Sequence, residues 1–221
     1  MSSFWEQEEV VEEFASRKPD HRMVALLEHH AEPAGYRVLD VGCAGGRNTE
    51  WLAERRFDVQ ALDPSEPMVQ RTRRRLTGIL GVDGAATRVR VGLMQDLSAF
   101  SADSFDLVIA LGVYHNARGR EGWNQTIEET VRVLKGGGHV LLSNFSPRSQ
   151  PRGTPLEPVP GEPGLYTGFS SGALYLLEAP ELDAALARHG LAPATPTEPV
   201  QVATDTGYRI SVNGLFVRRA V

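Results

Sequence analysis

The sequence predicts a doubly wound α/β fold, and three observations carry that expectation. Apolar runs of strand length alternate with helix-like segments along most of the chain, the order that builds βαβ units. A glycine-rich turn, Gly42-Cys43-Ala44-Gly45-Gly46, follows the first such run and opens a helix. FDLVIALG (105–112) is almost wholly apolar, as strands covered on both faces of a parallel sheet are.

Taken in order, residues 4–16 set Phe4, Trp5, Val10, Val11 and Phe14 at helical spacing among glutamates, and Asp20 is the expected N-cap of a second helix to about Leu27. Residues 1–34 thus read as a helical cap ahead of a domain over 35–221. YRVLDV (36–41) is the first strand, with a helix from about Asn48 to Arg55 after the turn. DVQAL (58–62), a helix from Ser65 to about Leu76, and TRVRVG (87–92) continue the alternation. The fourth strand is 105–112, a helix from about Trp123 to Leu134 stops at Gly136-Gly137-Gly138, and HVLLSNF (139–145) follows as a strand. Proline and glycine dominate 147–164, which reads as a loop long enough to be a lid or to be partly disordered. A helix over Glu181–His189 ends at Gly190, and 200–203 and 208–217 flank Asp205-Thr206-Gly207 as an antiparallel hairpin.

Composition narrows the function. At 221 residues the chain holds one sizeable core, and no apolar run nears the roughly 18 residues of a membrane span. The acidic start lacks both the basic residues and the apolar stretch of a secretory signal, so a cytoplasmic location is expected. A net charge of −5 argues against a nucleic-acid surface, and the cluster Arg71, Arg73, Arg74 and Arg75 is expected to complement a helix C-terminus. Cys43 has no intramolecular partner, the adjacent His29 and His30 point to different helix faces, and no zinc spacing occurs, so no metal is expected.

Ligands of doubly wound sheets bind beyond the carboxyl ends of the strands, which directs attention to the glycine-rich turn. It lacks the GxGxxG spacing of dinucleotide binders, which disfavours a nicotinamide enzyme. Asp63, about twenty residues further on at the end of the second strand, is placed to accept hydrogen bonds from ribose hydroxyls. A nucleoside ligand follows.

VLDVGCAGGRN (38–48) resembles the first signature motif of class I S-adenosylmethionine-dependent methyltransferases. ALDPSEPMV (61–69), MQDL (94–97), FDLVIALGVYHN (105–116) and RVLKGGGHVLLS (132–143) are similar to that family's later motifs, in order, over about two-thirds of the chain. The resemblance implies a seven-stranded sheet, mostly parallel, with an antiparallel C-terminal strand. It also implies S-adenosylmethionine as cofactor and S-adenosylhomocysteine as product. Gly42 and the backbone of Cys43 and Ala44 would lie against the methionine part, with Asp40 orienting the turn. Asp63 would take the ribose, Pro64 and Met68 the adenine face, Asp96 the adenine amino group, and the Leu97 N–H the ring; the Leu111 carbonyl would lie near the cofactor's amino group. Cys43 reads as a small packing residue rather than a nucleophile.

Methyl transfer is an in-line displacement, so alignment and exclusion of water do much of the work. Trp5, Phe14 and Tyr114 are candidates for an aromatic rim, with simple packing as their other reading. His115 is the candidate general base, or a packing residue. Arg17 is a candidate for the cofactor carboxylate, or a solvated surface residue. GGRNTEWLAERRFDVQALD (45–63) and DTGYRISVNGLFVRR (205–219) resemble a small-molecule branch that includes tellurite-resistance and thiol methyltransferases. TEPVQVATDT (197–206) lacks that branch's His-Arg pair, so O- and N-methylation stay as open as S-methylation. The expected acceptor is a small molecule. The rival reading is a non-catalytic cofactor-binding module or regulatory partner.

Overall fold

The computed structural model describes residues 4–219; residues 1–3 of the expected cap lie outside it. The chain forms two compact units, one from residues up to Met94 together with Ser104–Ile109, the other from Gln95–Asp103 and from Ala110 onward.

In the first unit, α1 (Glu8–Ser16) and α2 (His21–Leu27) lead, and the Asp20 carboxylate caps α2 by accepting from the Arg22 amide at 3.0 Å. Strands β1 (Arg37–Val41), β2 (Asp58–Asp63) and β3 (Val89–Val91) and the start of β4 (Phe105–Leu111) pair in parallel in the order β4-β1-β2-β3. Crossover helices α3 (Arg47–Glu54) and α4 (Glu66–Arg88) join them. Val38, Leu39, Ala61, Leu107, Val108 and Ile109 are fully buried, which is why these runs carry no polar alternation.

Two expectations change here. Helix α4 does not end near Leu76: it runs to Arg88 through a break at Gly81 (φ +74°), anchored by buried Leu76 and Ala85. The third strand shortens accordingly to Val89–Val91. The arginine cluster therefore sits within the helix and not at its negative end. Its charges are used laterally: Arg71 pairs with Glu12 at 2.8 Å, Arg73 donates to the Val89 carbonyl, and Arg75 pairs with Glu50 at 3.1 Å.

In the second unit, α5 (Gly119–Val133) leads into β5 (Leu134–Phe145), which pairs antiparallel with β11 (Tyr208–Arg218); β10 (Glu198–Ala203) and β9 (Leu191–Pro193) also pair with β11. The hairpin predicted from Asp205-Thr206-Gly207 is β10–β11. Helix α6 (Ala179–Ala187) packs beside β9, with Leu182 and Leu186 buried. The α/β class, with a mostly parallel sheet and an antiparallel C-terminal strand, is the one predicted. The proline-rich stretch departs from prediction. Strand β6 (Glu157–Pro158) lies within it and joins β7 (Leu165–Phe169) and β8 (Gly172–Tyr175) in a separate antiparallel sheet.

Candidate cofactor and acceptor sites

In the first unit the turn after β1 is held by its own backbone. The amides of Gly42 and Cys43 both donate to the Leu62 carbonyl, at 2.8 and 3.0 Å, and the Ala44 amide donates to the Asp63 carboxylate at 3.0 Å. Ala44 has φ +47° and Gly46 φ +83°; at Gly46 a Cβ would also lie 2.7 Å from Thr72, so a side chain there meets both strain and collision. Asp63 accepts a second amide, from Ser65 at 2.9 Å. A carboxylate offers about four acceptor positions, so lone pairs remain for a ribose diol. The residues present therefore fit a nucleoside. Burial pushes the Asp63 carboxyl above its ordinary range, opposed by the Ser65 and Ala44 amides.

Asp40 is buried and accepts the Thr49 hydroxyl at 2.7 Å, tying the end of β1 to α3. Burial pushes its carboxyl up to about 6, with the nearby Asp63 charge adding and the Thr49 hydrogen bond and Arg47 opposing. Cys43 is buried 4.0 Å from the Thr72 hydroxyl, and desolvation with the Asp63 and Asp40 charges keeps it a thiol. An inert packing role fits that environment.

The leading segment lies on this turn. A Cβ on Gly45 would stand 2.6 Å from the Ala15 Cβ, so this glycine serves contact with α1. Arg75 donates to the Ala15 carbonyl at 2.9 Å, and the Ser65 hydroxyl to the Trp5 carbonyl at 2.9 Å. Trp5 and Phe14 meet edge to face at 5.5 Å and pack with Val10, Val11, Ala44 and buried Met68. Arg17 pairs with Glu13 and lies 3.9 Å over the Phe14 ring. Pro64 is exposed between Asp63 and Ser65.

In the second unit Asp96 is exposed, its carboxylate accepts the Ser98 amide at 3.1 Å, and the Ser98 hydroxyl first and that amide second hold its carboxyl below the usual range. The Leu97 N–H donates at 2.8 Å to Glu129 on α5, so the expected donation to an adenine ring is corrected: that amide is committed. Leu111 is half-buried at the end of β4, where the Gly112 amide donates to Ser143 at 3.0 Å.

Beyond β4 a 3-10 turn, Tyr114–Asn116, carries the two residues singled out for catalysis. Tyr114 is 0% exposed, its hydroxyl 2.5 Å from Thr130 and its ring edge-on to Trp123; burial raises its pKa. That is the packing alternative: a wholly buried ring offers no face to a rim. His115 is 4% exposed and stacked 4.2 Å from Phe145, which stacks 5.3 Å from Phe169. Its Nδ1 is buried without a hydrogen-bond partner. Burial, with Arg209's charge, depresses the imidazole to about 3, so it is neutral at physiological pH. Phe145, Tyr166 and Phe169 pack on Leu156, Leu174 and Leu176. Sequence reasoning missed this cluster, although the short runs flanking Ser170-Ser171 carry a hairpin signal.

Residues 38–138 match the methyltransferase domain family. The chain is 33% identical over 134 residues to a ubiquinone biosynthesis O-methyltransferase from Xanthomonas axonopodis, covering 59% of this chain and 53% of that protein. It is 36% identical over 124 residues to a demethylmenaquinone methyltransferase from Clavibacter sepedonicus, covering 56% and 46%. The chain thus spans about half the length of the curated relatives it matches. The crystal structure of Burkholderia thailandensis 1,6-didemethyltoxoflavin-N1-methyltransferase, with that compound and S-adenosylhomocysteine bound, superposes with a TM-score of 0.64 at 20% identity, over 90% of this chain and 77% of that one. That likeness shows the shared fold. Over residues 38–138 the chain is therefore similar to methyltransferase domains, as its motifs led us to expect.

Proposed function

We propose that this protein transfers a methyl group from S-adenosylmethionine to an O, N or S atom of a small, flat, ring-bearing acceptor. The observation that carries the reading is Asp63, a buried carboxylate anchored by two backbone amides with lone pairs to spare for a ribose. When bound, the cofactor supplies an activated methyl on a sulfonium. Asp63 takes the ribose and Asp96 the adenine amino group, with Pro64 and Met68 along the ring. Gly42, Cys43 and Ala44 border the methionine portion, the Leu111 carbonyl and Arg17 receive its charged ends, and Asp40 keeps the turn in register.

The acceptor preference rests on the half-buried Phe145 and Phe169 rings, with buried His115 stacked on Phe145, flat groups chemically suited to a flat partner. The quinones and the fused heterocycle in the relatives' names have that shape. His115, neutral and with Nδ1 free to bond, orients the acceptor rather than storing its proton. Tyr114 acts through packing behind it. Among the described residues no helix is long and apolar enough to cross a membrane, and the lone buried thiol suits the cytoplasm.

Screening phenols, quinols and N-heterocycles for S-adenosylhomocysteine release tests the activity, and calorimetry with that product tests the site. Asp63→Ala should weaken binding by about 1 to 3 kcal/mol, because ribose hydroxyls are left without a partner. Binding without release for any acceptor would favour the non-catalytic module; unchanged affinity in Asp63→Ala would remove Asp63 from the site.

A further inference from the structure

Asp96 lies in the stretch between β3 and β4, where no helix or strand fixes the chain, and it is exposed. Its local hydrogen-bond partners are the hydroxyl and amide of Ser98, on the same loop. The next residue is held far more firmly. Glu129 accepts the Leu97 N–H at 2.8 Å, and Arg132, one turn further along α5, donates to the Leu97 carbonyl at 2.8 Å and to the Phe100 carbonyl at 2.9 Å. The two side chains pair with each other at 2.6 and 2.8 Å, and the Asp103 amide returns to the Arg132 carbonyl at 3.0 Å. Both backbone polar groups of Leu97 are thus fixed by one ion pair.

We infer that Glu129 and Arg132 are positioning residues for adenine selectivity: by clamping Leu97 they hold the neighbouring Asp96 carboxylate where it accepts the adenine amino group. The inference rests on the function proposed above. A partly exposed pair contributes little as a salt bridge alone, so its main consequence is where it puts the loop. The guanidinium fork serves two carbonyls and a carboxylate at once, which a lysine ammonium on a flexible stem does not reproduce. A carboxylate held against the amino group attracts adenine and repels the carbonyl oxygen of hypoxanthine. A carboxylate that wanders loses that distinction.

The test compares S-adenosylhomocysteine with S-inosylhomocysteine, which carries oxygen in place of the amino group, by calorimetry on the full chain and on Arg132→Lys and Glu129→Gln. The wild type should prefer the adenine compound by about tenfold or more. In both variants the preference should shrink to about threefold or less, mainly through loss of the adenine compound, since the lost contact is one hydrogen bond to a charged group. Equal weakening of both ligands, or an unchanged ratio, makes the pair merely structural and overturns the inference. If Arg132→Lys does not fold, the near-isosteric Glu129→Gln decides. A wild type that binds neither compound overturns the proposed function itself, whereas one that binds both equally overturns only the role of Asp96 and its clamp.

Discussion

The glycine-rich turn of the first unit and the ring stack of the second are built by opposite means. The turn is made of backbone groups bonded to the end of the next strand: Gly42 and Cys43 to Leu62, Ala44 to Asp63. Its left-handed positions and its close contact with Ala15 restrict which residues fit. The ring stack draws His115, Phe145 and Phe169 from a 3-10 turn and two strands of different sheets, and asks only for flat side chains of the right size. Under the function proposed above, a cofactor common to many enzymes is met by stereochemistry that tolerates few sequences, and the acceptor by packing that tolerates many.

The largest expected effect breaks the turn. Gly45→Val places branched carbon where a single Cβ already falls 2.6 Å from Ala15, and should cost about 3 kcal/mol in denaturant unfolding unless α1 lifts away. Lifting limits the cost to the docking energy of α1 and should appear as faster amide exchange over 8–16. Gly45→Ala combined with Ala15→Gly should be less harmful than the sum of the two changes, since the clash is shared. Strict additivity would separate Gly45 from α1.

The ring stack should respond differently. Phe145→Ala should lower turnover by about 10- to 100-fold through lost alignment while S-adenosylhomocysteine affinity stays within about threefold. Phe145→Tyr, which preserves the stack, should retain most activity. The pH profile of kcat should show no limb from His115 between 5 and 8, because its imidazole is held at about 3. A limb near 6 to 7 that vanishes in His115→Gln would restore His115 as a general base.

The same contrast explains what could be read in the sequence. The αβ order, Asp20 as a cap, Asp63 at its strand end and the β10–β11 hairpin each follow from local chemistry: an apolar run, a capping oxygen, a turn tripeptide. The extent of α4 did not, because Gly78, Gly81 and Gly84 are poor helix formers, whereas burial of Ala85 carries the helix onward. Glu129 and Arg132 look like a surface i,i+3 pair until Leu97 is brought against them. The β6–β8 sheet hid because its strands are short and lie in or beside a proline-rich stretch, where propensity points to a loop. Sequence left Tyr114 open between rim and packing; what decides for packing is its contact with Trp123 and Thr130 from α5.

The smallest effect sharpens the comparison through pH. In the unfolded chain an aspartate titrates at about 3.9. Asp40 in the folded protein is pushed up to about 6 by burial. The folded state therefore binds more protons between these values, and this group's contribution to stability falls as pH rises from about 4 to about 6. A ligand carrying positive charge reverses the preference, because it favours the ionised carboxylate. S-adenosylmethionine should accordingly bind more tightly as pH rises, by about tenfold between pH 5 and 7, with release of a proton on binding at the lower end. Calorimetry in buffers of different ionisation enthalpy reads that proton directly. Thr49→Val removes the hydrogen bond that favours ionised Asp40, so it should move the midpoint to higher pH and enlarge the change. The ring stack contributes nothing in this window, since His115 stays neutral throughout, and His115→Gln should leave the binding profile as it is. Affinity that stays flat from pH 5 to 7 in both the wild type and Thr49→Val would mean that Asp40 is already ionised beneath the turn, and that the Thr49 hydroxyl and the Arg47 charge outweigh burial there.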